Sequence, residues 1–191
     1  MIDYPVPLLG IAAASGTGKT TLLEALIPRL REAGLRIALV KHSHHDFDID
    51  NPGKDSDRLR KAGASQVLLA SRYRKALIVE TPEREDEPDL REALSHLDTR
   101  QLDLVLVEGY RSEAFPKLEL HRPSRGRPLL CSTDPHIIAI AHDADAPLAV
   151  AVAQLDLNDV EAIRTWVLGF HATANPSAVA SAVVPAGGSE N

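Results

Sequence analysis

The chain has 191 residues, 44% of them apolar and 25% charged, which is enough to bury one full core and the profile of a globular protein. No apolar run reaches the ~18 residues that span a bilayer. Met1 to Pro7 lack the basic and apolar segments of a signal peptide, and the single cysteine, Cys131, excludes an internal disulfide or a Cys-rich zinc site. A net charge of −6 argues against nucleic acid as a partner. Together these features predict a cytoplasmic protein without a nucleic-acid or membrane partner.

Val6 to Ala14 reads as a buried first strand. The next stretch, Ala13-Ala14-Ser15-Gly16-Thr17-Gly18-Lys19-Thr20-Thr21, leads into an amphipathic run. Strand, Gly-rich turn and Gly-Lys-Thr at a helix start form the layout of a phosphate-binding P-loop. Backbone N–H groups of such a loop, with the helix N-terminus, hold phosphate oxygens. Lys19 supplies positive charge to the outer phosphates, and the Thr20 hydroxyl suits magnesium. The full signature asks for glycine at Ala13, where alanine is acceptable if its φ is negative. A small-residue turn in an ordinary βα unit is the bland alternative.

The first helix is predicted from Lys19 to Ala33, with Leu22, Leu26, Ile27 and Leu30 as its core stripe, Gly34 as its stop, and Pro28 kinking or shortening it. A second strand over Arg36 to Val40 completes a βαβ unit, so the sheet is largely parallel. Lys41 to Ser56 follows, with His42, His44, His45, Asp46, Asp48 and Asp50 packed into nine residues. This stretch reads as a loop beside the nucleotide, as a transition-metal site, or as a solvated loop without a role. Asp50 to Gly53 matches D-x-x-G only weakly, because no strand directly precedes it.

Asp55 or Ser56 is placed to cap a short helix ending at Ala62, with Gly63 as its stop. Ala64 to Ala70 and Lys75 to Thr81 alternate around Ser71 to Arg74 as a β-hairpin. Its open edges need covering or pairing, and a second copy of the chain is one solution, so a homodimer is expected. Thr81 to Pro88 reads as a loop and Asp89 to Leu97 as a short helix. Leu102 to Tyr110 resembles a Walker B strand, with Glu108 at its end suited to a water-mediated magnesium contact or to a general base, and Gly109 marking a turn where backbone nears ligand. A plain strand-end acid is the alternative.

Lys117 to Leu120 reads as a strand followed by a basic loop, Arg122 to Arg127; Ile137 to Ala141 and Leu148 to Val152 read as two more strands. Asp143, just past the first of these two, is placed to accept from a guanine edge, although the Asn-Lys half of N-K-x-D is absent and base identity is open. Asn158 to Gly169 reads as the last helix, with Asn158 at the N-cap and Glu161 closing a capping box. The expected organisation is a single P-loop NTP-binding domain over residues 1–171, a three-layer α/β fold with a mostly parallel sheet and a hairpin insertion at about 64–81, then a disordered Ala/Ser/Pro/Gly-rich tail over 172–191. A P-loop alone does not choose a task. An adaptor GTPase, a nickel-type metal-delivery GTPase and a small-molecule kinase all remain, with Arg122, Arg125 and Arg127 as a kinase's candidate lid arginines.

The combination of Ala14 to Leu22, Lys41-His42-Ser43-His44-His45-Asp46, Pro52 to Ser56 with Ala62-Gly63-Ala64, and Val107-Glu108-Gly109-Tyr110 with Pro116-Lys117 resembles the MobB family, molybdopterin-guanine dinucleotide biosynthesis protein B, over about Leu8 to Phe170. Ala13 and Tyr110-Arg111 depart from its familiar pattern, the latter standing where Phe-Lys is usual. The resemblance implies a homodimeric GTP-binding adaptor that assists the guanylyltransferase MobA, with molybdopterin or molybdoenzymes as further partners. It implies GTP and Mg²⁺ as ligands and, at most, slow GTP hydrolysis. By position, Ser15, Gly16, Thr17, Gly18, Lys19, Thr20 and Thr21 would hold phosphates, and His42, His44, His45 and Asp46 would border the site. Thr20, Glu108 and Asp46 would serve the magnesium, with Lys19 and Glu108 as the catalytic pair.

Overall fold

Leu8–Ala12 (β1) is apolar throughout and buried on both faces, as a central strand of a parallel sheet requires. The computed structural model describes residues 1–43, 47–82 and 86–175. The chain divides into two compact units, one of Met1–His42 with the chain from Leu90 onward, the other Ser43–Asp89.

In the first unit, Lys19–Glu32 (α1) follows β1, then Ile37–Lys41 (β2). The second unit holds Asp55–Lys61 (α2), Gln66–Ala70 (β3) and Lys75–Val79 (β4). The first resumes with Leu90–Ser95 (α3), Leu104–Glu108 (β5), Lys117–His121 (β6), Ile137–His142 (β7), Ala153–Asp156 (β8) and Val160–Ala174 (α4). Six strands form one sheet in the order β2-β5-β1-β6-β7-β8, every pairing parallel. One face carries a core built by Leu22, Leu26 and Leu30 of α1 and Ile163 and Val167 of α4 against Leu9, Leu104, Leu106 and Leu118. The other carries Leu90 and Leu94 of α3 against Leu8, Val105, Val107 and Phe115. Helices on both faces give the three-layer α/β fold that the sequence predicts.

Several elements differ in detail from their sequence reading. Helix α1 runs through Pro28 to Glu32; the proline lies on the exposed side, opposite Leu26 and Leu30. Leu23 joins the buried stripe and Ile27 is only half-buried. No strand forms at Leu148 to Val152. That segment is a loop held by Gln154, whose side chain accepts from the Leu148 N–H (2.8 Å) and donates to its carbonyl (2.9 Å), and the strand comes later. The N-cap of α4 is Asp159, not Asn158: its side chain accepts from the Ala162 N–H at 2.9 Å. The helix continues to Ala174, past its expected end at Gly169.

In the second unit the hairpin pairs Leu68 with Leu77 and Val67 with Ile78, as a separate antiparallel sheet. Helix α2 starts after Lys54, with no side-chain cap from Asp55 or Ser56. Arg60 gathers Glu80 (2.8 Å), Asp57 (3.1 Å), Asp48 (3.2 Å) and Asp50 (3.6 Å). The Asp50 to Gly53 segment closes the approach to α2: Ser56 donates to Asp50, and the Gly53 N–H donates to Asp57. That N–H and Lys61 hold the Asp57 carboxyl below its ordinary range.

Candidate functional site

The P-loop sits at the C-terminal end of β1. Gly16 (φ 75°) and Gly18 (φ 110°) adopt left-handed backbone that only glycine takes without strain, and this lets the loop curl before the first helical bond, Leu22 N–H to Gly18 carbonyl at 2.9 Å. Ala13 is buried and has no left-handed φ, which meets the condition for alanine there. Thr17, 3% exposed, braces the turn by donating its hydroxyl (2.8 Å) and its N–H (3.3 Å) to the Ala14 carbonyl. Ser15, Gly16, Thr20 and Thr21 are exposed around this curl, and Lys19 opens the helix.

Parallel register brings the acid to the loop. Ile11 of β1 and Lys41 of β2 both pair with Glu108 at the end of β5. The Glu108 carboxylate lies 3.9 Å from Lys19 Nζ and 3.5 Å from Lys41 Nζ, with its side chain 13% exposed. Lys19 and Glu108 stand among the residues the sequence points to, whereas Lys41 joins them only through its place at the end of a strand neighbouring β5. Gly109 (φ 91°) turns sharply and its backbone closely approaches His42: a Cβ there would lie 2.5 Å from His42 Cβ. The His42 N–H donates to the Glu108 carbonyl (2.8 Å), and its ring stacks on Tyr110 at 4.8 Å. Tyr110 is the one non-glycine residue with positive φ (51°) among the described residues, a strained position at the strand end beside Glu108. His44, His45 and Asp46 lie outside the described residues. Among the described residues no group of three or more His, Cys, Asp or Glu side chains comes together to hold a metal.

On the other side of the loop, β6 and β7 deliver partners far away in sequence. Arg122 Nε donates to the Thr17 carbonyl (3.1 Å), and Arg125 donates to the Gly16 carbonyl (2.8 Å). Arg122 also binds Asp143, so the carboxylate expected to read a base edge is engaged by a guanidinium. Next to it is a cavity of about 480 Å³ lined by residues 142–147 and 154–156 with Asn158. His142 floors it. Its Nδ1 accepts from the Ala144 N–H (3.2 Å), which leaves Nε2 to donate to Gln154 Oε1 (3.0 Å). Burial, helped by the nearby Glu119 carboxylate, pushes the Cys131 thiol up to about 11, which favours the neutral thiol.

The chain is 52% identical to the molybdopterin-guanine dinucleotide biosynthesis adapter protein of Escherichia coli K12, over 85% of this chain and 92% of that one. It is 42% identical to the Haemophilus influenzae protein of the same name, over 89% and 94%. A solved molybdopterin-guanine biosynthesis protein B superposes with a TM-score of 0.63 at 26% identity, covering 85% of this chain and 99% of that one. The family model described as Molybdopterin guanine dinucleotide synthesis protein B matches residues 8–143. The chain belongs to this family, MobB.

Proposed function

We propose that this MobB-family protein binds GTP with magnesium at the P-loop and serves as an adaptor to a MobA-type guanylyltransferase in making molybdopterin guanine dinucleotide. The observation that carries the nucleotide reading is the convergence of Lys19, Lys41 and Glu108 beside a loop curled by two left-handed glycines, Gly16 and Gly18. The two lysines that now face Glu108 are the charges an incoming triphosphate would recruit. Thr20 has an exposed hydroxyl and Glu108 a carboxylate, hard oxygen donors of the kind magnesium prefers. When bound, the ion would neutralise charge on the outer phosphates. Among the described residues no glutamine adjoins Lys19 and Glu108 to orient water, so hydrolysis is expected to be slow.

For the guanine, the cavity beside Asp143 supports the reading in a modified form: Arg122 must release Asp143 for its carboxylate to accept from a base. The adaptor role is supported by the names of the Escherichia coli and Haemophilus influenzae relatives. A cytoplasmic homodimer, paired through the two-stranded sheet of the second unit, is part of the same proposal, and Leu68, Leu77 and Val79 stand exposed there.

Calorimetric titration with GTP, ATP and GDP, with and without magnesium, tests the core of it. GTP should bind best, magnesium should tighten it, and Lys19→Ala should weaken it at least tenfold. Equal affinity for ATP overturns the guanine assignment. Full affinity in Lys19→Ala overturns the site.

A further inference from the structure

A second cavity, of about 310 Å³, adjoins the P-loop on the β6 side and shares Ala14, Ser15 and Thr17 with it. Arg111, Arg122, Arg125 and Arg127 all line it. In a chain of net charge −6, four guanidinium-bearing residues around one cavity are a local concentration, not a generally basic surface. Arg122 is balanced by Asp143. Among the described residues Arg125 spends one donor on the Gly16 carbonyl and, like Arg111 and Arg127, has no carboxylate partner. Three forked cations therefore line the space with no carboxylate paired to them among the described residues.

The cavity is also built on fixed supports. Lys117, 2% exposed, donates to the Arg111 carbonyl (2.9 Å) and to Asp134 (2.7 Å), which pins the backbone from which Arg111 reaches. Glu119, the one carboxylate in the lining, is 1% exposed and accepts from the N–H groups of Leu130 and Cys131 (2.8 Å each). Both its oxygens are thereby engaged, and the far wall is tied to β6. Leu120, Pro128 and Leu130 add an apolar side. Guanidinium forks match the oxygens of a phosphate, and the volume and apolar wall leave room for the body that carries it.

We propose that this cavity binds a phosphomonoester, a second ligand set directly beside the nucleotide. Its position beside a nucleotide rests on the P-loop reading above; its own chemistry does not.

Phenyl phosphate is the probe, titrated by calorimetry into the full chain with and without saturating magnesium and a non-hydrolysable GTP analogue. One equivalent should bind with the analogue in place. Arg111→Ala and Arg127→Ala, two exposed positions whose fold is checked by unfolding midpoint, should each weaken it about tenfold. Lys19→Ala should lose the analogue and keep phenyl phosphate. Three results overturn the proposal: competition between phenyl phosphate and the analogue, inorganic phosphate binding as well as the ester, or unchanged affinity in the double arginine variant. If the analogue fails to bind while phenyl phosphate still binds in an arginine-dependent way, the P-loop reading falls and the cavity stands.

Discussion

Strands β5 and β4 are both five residues long and mostly apolar, yet they end in opposite environments. Leu104 to Val107 of β5 are 0% exposed, whereas Leu77 and Val79 of β4 are 47% and 41% exposed. Composition does not separate them; neighbours do. β5 lies between β1 and β2, and its alternating side chains enter two different cores, Leu104 and Leu106 one, Val105 and Val107 the other. Among the described residues β4 pairs with β3 alone, and one face of that hairpin is left open. An apolar residue stabilises the fold only where a second layer meets it.

The sharpest way to break this contrast is truncation in the buried strand. Leu106→Ala should cost ~2–5 kcal/mol, the lost transfer energy plus a cavity that close-packed neighbours fill poorly. Chemical denaturation measures it. A cost below about 1 kcal/mol would mean that β5 is less tightly enclosed than its zero exposure implies.

Acid should act next. Arg36, at the start of the sheet, donates through its side chain to both Asp103 oxygens and adds its own N–H, and these bonds hold the Asp103 carboxyl below its ordinary value of 3.8. Lys117 and the His136 N–H do the same for Asp134, outweighing the upward push of burial. A carboxyl depressed in the folded state stabilises it fully above the unfolded value and loses that contribution as pH falls through the folded one. Stability should thus be flat above about pH 5 and decline below pH 4. Asp103→Asn should flatten part of that decline, read from unfolding midpoints across the acid range.

The P-loop, Glu108 and the hairpin were legible because each is local: a spacing, a strand end, an alternation. Arg122 and Arg125 stood out only as a kinase's candidate lid arginines; their contacts to loop residues 105 and 109 positions away are a proximity that sheet order creates and no local pattern shows. Leu148 to Val152 misled because an apolar run reads as a strand, while Gln154 offers it a different set of hydrogen bonds. Asn158 and Asp159 are both good capping residues, and the sequence could not choose between neighbours one position apart. Asp159→Ala should cost ~1 kcal/mol and Asn158→Ala only a few tenths, because Asp159 alone accepts from Ala162. Equal losses would return the cap to Asn158.

The smallest change in stability belongs to the open face. Leu77→Lys puts a charge where the side chain already meets solvent, so the unfolding free energy should move by no more than about 0.5 kcal/mol. Its effect should appear in association instead. Leu77 pairs with Leu68, itself 65% exposed, so the substitution places an ammonium in the middle of the apolar strip that a second copy would cover. Sedimentation should then show the variant shifting to monomer while GTP affinity stays at the parent level, since the P-loop and Glu108 belong to the other unit. If Leu77→Lys destabilises the fold as Leu106→Ala does, the hairpin face is covered within the chain and the contrast with β5 disappears. If it leaves both stability and association unchanged, the proposed dimer uses another surface.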